Sequence, residues 1–129
     1  MTQNSVFSAC EDLKLPLSAI QWHEAVKQGF PESFLKKICG QLKISKKELK
    51  GLLDLELNSD SEILSTQDSD VLYRLGVVVD TLTVNGMSFS QISAYLQQPD
   101  PFFKDRKPID LLKNFQGYSY LLNKVKGTK

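Results

Sequence analysis

Residues that do chemistry are scarce in this sequence. It has one histidine, His23, and two cysteines, Cys10 and Cys39, none at metal-ligand spacing from another, so no zinc site is indicated. A Cys–His nucleophile pair would need an orienting partner and a pocket, and nothing in the sequence signals either. The seven glycines stand singly, which leaves no glycine-rich loop to cradle a phosphate. Asp54 and Glu56 are one residue apart and would diverge on a helix, a poor arrangement for acid/base work. The expectation is a protein that is not an enzyme and holds no metal or cofactor. No apolar run approaches the roughly 18 residues that a bilayer demands, so no membrane association is expected. Residues 1–8 lack the basic start and apolar centre of a secretory signal. A cytoplasmic location with both thiols reduced follows as the default. A strong charge of one sign is also missing: 16 Lys and Arg against 15 Asp and Glu leave a net charge of +1, without the basic excess of many nucleic-acid binders.

What the chain does have is 129 residues at 41% hydrophobic content, enough for a buried core. Long β-branched alternations are missing, and apolar residues recur at spacings of three and four, the period of helices. The expected fold class is all-α, with about seven helices and no internal repeat. Residues 1–16 read as a loose arm closed by Pro16. Ser18 can cap a helix carrying Ile20, Trp22, Ala25 and Val26 that ends at Gly29, with His23 a partly exposed helix residue. Pro31 suits the first turn of the next helix, whose buried face is Phe34, Leu35, Ile38 and Leu42. Ser45 with Glu48 forms a capping-box pattern. A turn-rich stretch with a short helical possibility near residues 60–64 precedes a long helix over about 67–85, with Asp68 and Asp70 near its positive end. Gly76 in that helix reads as a close-packing residue. Ser88 or Ser90 caps a helix that Pro99 and Pro101 stop. Pro108 opens a short helix, and Gly117 separates it from the last one.

Charge is segregated. From Lys27 to Lys50 seven lysines face only Glu32 and Glu48, a balance of +5. From Gly51 to Leu72 there are six acids and no Lys or Arg, a balance of −6. From Lys104 onward seven cations face Asp105 and Asp110, again +5. Solvated faces account for such blocks about as often as function does.

Two stretches carry a resemblance. Gly29-Phe30-Pro31 through Leu53, with the linker Leu42-Lys43-Ile44-Ser45, resembles the first part of an Xre-type helix-turn-helix. Tyr95-Leu96-Gln97-Gln98-Pro99-Asp100-Pro101, then Pro108-Ile109-Asp110-Leu111-Leu112, then Gly117, resemble in order and spacing the toxin-binding domain of the Xre/MbcA/ParS antitoxin family. On this likeness residues 17–66 form a degenerate helix-turn-helix region and residues 67–129 a small helical toxin-binding domain. The resemblance implies a cytoplasmic antitoxin that neutralises a RES or ParT-like toxin, an enzyme that consumes NAD or transfers ADP-ribose from it, by covering the toxin's active site. It also implies a homodimer and repression of the chain's own operon.

The departures set further expectations. Many members have Leu-Gly-Gly where this chain has Phe103-Lys104-Asp105, so the left-handed glycine geometry of that turn should change here. After Gly117 the chain is about one helical turn shorter. The stretch equivalent to a recognition helix, Asn58 to Leu64, offers Asp60 and Glu62 and no cation, although base and phosphate contacts need donors. Sequence-specific DNA binding by this element is therefore expected to be lost or much weakened. Lys43, Lys46, Lys47 and Lys50 remain candidate phosphate contacts for an alternative role as a DNA-binding regulator. The candidate toxin-binding residues are Pro99, Asp100, Phe102, Lys104, Arg106, Lys107, Tyr118, Lys124, Lys126 and Lys129. Among the C-terminal aromatics, Phe102 is assigned to this interface and Phe115 to the core.

Overall fold

The computed structural model describes residues 24, 26–57 and 63–127. Among them are seven helical elements and no strand, so the fold is all-α. The arm over residues 1–16, the start of the Ser18 helix, Cys10, Trp22, His23, residues 58–62 and Lys129 lie outside the described residues.

Residues 26–28 are helical and stop at Gly29, whose φ of +97° is the left-handed geometry that glycine adopts freely. Helix α1 (Glu32–Leu42) follows. Pro31 sits just outside it as N-cap, and Phe34, Leu35, Ile38 and Leu42 are buried along one stripe. Helix α2 (Lys46–Leu53) begins at the capping box read from the sequence. Glu48 N–H donates to Ser45 Oγ at 3.0 Å, and Ser45 N–H to Glu48 Oε1 at 3.2 Å. Lys43 ends α1 and Asp54 ends α2, each with φ of 54°.

Helix α3 (Thr66–Val84) is capped by Ser65, which accepts the N–H of Asp68 at 3.0 Å. The start of α3 is stapled to the segment before α1. Phe30 N–H donates to Ser69 Oγ at 2.8 Å, Leu64 N–H to Phe30 C=O at 2.8 Å, and Thr66 Oγ1 to Lys27 C=O at 2.7 Å. A Cβ on Gly29 would stand 2.2 Å from the Leu64 carbonyl oxygen. Ile63 pairs with Pro31 in an isolated bridge, so the described end of the expected 60–64 helical turn is extended instead.

Helix α4 (Phe89–Gln97) uses Ser88, with Gln91 completing its capping box. Two 3-10 segments, Pro101–Phe103 and Pro108–Lys113, lead to helix α5 (Phe115–Gly127). One apolar core runs without a break from Phe30 to Val125. In it α1 meets α4, and α2 meets the Pro108–Lys113 segment.

Much of the acidic block is structural. Asp68 is 2% exposed, and its two carboxylate oxygens accept the backbone N–H groups of Glu56 and Leu57, each at 2.9 Å. Its place in the first turn of α3 thus ties down the preceding chain as well as favouring the dipole. Asp70 pairs with Arg74, whose Nη1 also donates to the Leu112 carbonyl at 2.8 Å. Asp54 pairs with Lys113 at 3.3 Å.

Candidate partner-binding site

Pro99 and Pro101 end α4 because neither can donate a helical N–H. Between them Asp100 closes a tight loop. Its backbone N–H donates to the Arg106 carbonyl at 3.1 Å, and its own carbonyl accepts from Phe103 at 2.9 Å and Asp105 at 3.0 Å. Asp100 Oδ1 caps the Pro101–Phe103 segment by accepting the Phe102 N–H at 2.9 Å. This geometry points Phe103 inward at 4% exposure and leaves Phe102 outward at 53%.

The turn is completed by Lys104 and Asp105, with φ of 58° and 64°. Both are left-handed, so the expectation that this geometry would be lost without the glycine pair is corrected. The loop closure by Asp100 and Arg106 imposes the conformation on two residues that carry side chains.

Helix α5 meets this loop through Lys124. Its Nζ donates to Asp100 Oδ2 at 2.8 Å and stands 4.7 Å from the centre of the Phe102 ring and 5.0 Å from that of Phe103. A cation over a ring face is attracted by the ring quadrupole. Burial alone would depress the Lys124 ammonium, but the Asp100 carboxylate and the Tyr95 hydroxyl outweigh it and raise its pKa. The bond from Lys124, helped by the Phe102 N–H, lowers the pKa of Asp100. Tyr120, one turn before Lys124, stacks on Phe102 with centres 5.6 Å apart and planes 15° apart.

The result is an open groove of about 280 Å³ lined by Phe102, Phe103, Lys104, Arg106, Leu111 and Tyr120. Asp100, Phe102, Lys104, Arg106 and Lys124 of the expected set come together here, with Pro99 exposed beside Asp100. Lys124 is engaged with its own chain and positions Phe102. Lys107 lines a second groove, of about 530 Å³, with Lys47, Glu48, Gly51, Leu52 and Gln97. Tyr118 is half-buried beside Phe115, and burial pushes its hydroxyl pKa up. Lys126 is exposed. Phe115, expected in the core, is 65% exposed, because it opens α5 ahead of the contact that seats the helix. Tyr120 and Leu111 were not among the expected residues. The four-residue spacing of Tyr120 from Lys124 was the available signal.

The motif anchors have physical reasons. Pro108, Ile109 and Leu112 are buried. Asn114 caps α5 through the Gly117 N–H at 2.8 Å, and Gly117 lies against the Leu111 carbonyl. In the N-terminal region Lys43, Lys47 and Lys50 are exposed, whereas Lys46 pairs with Glu32 at 2.5 Å. That pairing lowers the pKa of Glu32. Cys39 is half-buried, and burial raises its thiol pKa, the direction that makes a thiol less nucleophilic at neutral pH. Among the described residues there is no group of three possible metal ligands, and no helix is long and apolar enough to cross a membrane. Comparison of the chain with models of known protein families gives no match, and comparison with curated proteins gives none either.

Proposed function

We propose that this chain is an antitoxin of the cytoplasm that binds a RES or ParT-like toxin and covers its active site with the loop 99–107 and the adjacent face of α5. The observation that carries the reading is the left-handed pair Lys104 and Asp105, a conformation that glycine adopts freely, at the place where many members of the resembling family have two glycines. The seating of Gly117 on Leu111 supports it, since that contact accounts for a second family anchor. Phe102 and Tyr120 supply the exposed apolar centre that interfaces favour, and Lys104 and Arg106 a cationic rim. Inhibition is steric, with the rim cations meeting acidic groups of the toxin. The chain supplies no catalysis or cofactor of its own, and two copies form the functional unit.

The test is to read the neighbouring reading frame for a small NAD-consuming enzyme and to co-express the two proteins; absence of such a frame counts against the reading. The two should co-elute, and Phe102→Ala with Arg106→Glu should weaken the complex by about 2 kcal/mol or more, as for central interface residues. Separate elution of the unmodified proteins would end this reading. The exposed Lys43, Lys47 and Lys50, which make no ion pair among the described residues, favour a second reading as a DNA-binding regulator. It requires affinity that falls steeply with salt and disappears when those lysines are neutralised.

A further inference from the structure

The toxin reading leaves the larger groove between α2 and α4 unexplained. Its cations come from both basic blocks: Lys47 from α2 and Lys107 from the loop after α4. Arg106 and Lys104, next along that loop, line the aromatic groove. Lys46, Arg74, Lys113 and Lys124 are held by carboxylates of the chain itself. Lys47, Lys104, Arg106 and Lys107 have no ion pair within the described residues. Of the cations without an ion pair among the described residues, Lys36, Lys43, Lys50 and Lys126 line neither groove, whereas Lys47 and Lys107 line one and Lys104 and Arg106 the other, and the Arg106–Lys107 step of the loop joins the two into one path. At its end stand Phe102 and Tyr120, each about half exposed.

We infer that this path binds single-stranded nucleic acid without sequence preference, the phosphates following Lys47, Lys107, Arg106 and Lys104 and a base stacking at Phe102 and Tyr120. A track of cations joined to exposed rings is the arrangement used for single strands, whose unpaired bases leave their faces free to stack. A compact acidic protein surface centred on the rings fits less well, because Lys47 and Lys107, two of the four cations, line the groove that holds no aromatic residue. Two carboxylates lie on the path. Glu48 Oε1 is engaged by the Ser45 N–H, and Asp105 sits in the turn itself. Gly51, with open space where its Cβ would be, lets a strand approach α2 closely. The inference does not rest on the toxin reading. The two share Arg106 and Phe102, so strand and toxin would exclude one another.

The experiment is fluorescence anisotropy of the full chain with labelled 20-nucleotide oligothymidylate and oligouridylate, and with a 20-base-pair duplex. Four phosphate contacts give a slope of log K against log salt near −3, a loss of about fifty-fold between 50 and 200 mM salt. Lys47→Gln, at an exposed position, with Lys107→Gln, at a partly exposed one, should halve that slope. Phe102→Ala with Tyr120→Ala should weaken binding at least about fivefold for each ring. Circular dichroism checks that each variant is folded. No binding of either strand at 50 mM salt overturns the inference. So does a slope unchanged by the lysine substitutions, tighter binding of the duplex, or polyglutamate competing as well as oligothymidylate, the mark of a site for acidic proteins.

Discussion

A Cβ placed on Gly117 would stand 2.4 Å from the carbonyl oxygen of Leu111. The absence of a side chain at this point lets α5 lie directly on the 3-10 segment that precedes it. Gly117→Ala would gain helix propensity worth about 1 kcal/mol. It would also drive a methyl group into backbone that cannot swing aside, an overpacking cost of about 1–3 kcal/mol. The clash is the larger effect. Urea denaturation should show the variant less stable, and an unchanged or higher midpoint would mean that α5 can shift to accommodate it.

Lys104 and Asp105 both hold left-handed geometry that costs a residue with a side chain about 1–2 kcal/mol. Asp tolerates this region better than Lys, and glycine loosens the unfolded chain by about 0.5–1 kcal/mol. Lys104→Gly should therefore stabilise by about 0.5–1 kcal/mol, with Asp105→Gly near neutral. A destabilised Lys104→Gly protein would show that the strain is absent.

Asp68 satisfies two backbone donors that no helix or strand serves. Asp68→Ala should cost about 2–3 kcal/mol, since a hydrogen bond to a charged group is worth about 1.5–3 kcal/mol. Amide hydrogen exchange should quicken at Glu56 and Leu57 before it does in α3. Uniform quickening would indicate that the carboxylate holds no local tether.

The Asp100–Lys124 pair has a defined pH window. The carboxylate pKa lies below its ordinary 3.8, so its stabilisation is complete above the unfolded value and is lost as pH falls through the folded one. The ammonium pKa lies above its ordinary 10.5, so its part persists below that value and is lost as pH rises through the folded one. Asp100→Asn should be less stable than the parent between about pH 5 and 9, and the two stability curves should draw together as pH falls below 3.8 toward and through the folded carboxylate value. A stability difference that does not shrink as pH falls below 3.8 would assign it to packing and not to charge.

Helix starts were readable where a local signal fixes them. Ser45 with Glu48, and Ser88, cap the helices they precede, because a hydroxyl three residues ahead of an orphan N–H needs no distant partner. Long-range pairings were not readable. Asp54 finds Lys113, and Asp68 reaches back to Glu56, through the course of the chain in space. Nothing in an Asp of a first helical turn distinguishes a solvated carboxylate from one that clamps a loop. The turn at Lys104 was misread for a related reason. Left-handed backbone is legible in sequence when glycine marks it, but here the closure between Asp100 and Arg106 imposes it on residues that do not advertise it. Of the residues that line the aromatic groove, Phe102, Lys104 and Arg106 are among those expected from composition and resemblance, whereas Tyr120 enters only through the phase of α5.

The unbroken core from Phe30 to Val125 bears on separability. The Pro108–Lys113 segment rests on α2, and α4 rests on α1, so severing the chain ahead of Thr66 would strip apolar cover from the two elements that flank the loop bearing Phe102. The C-terminal portion is not a transplantable cassette: grafted alone onto another protein, it would carry the motif without the scaffold that shapes it.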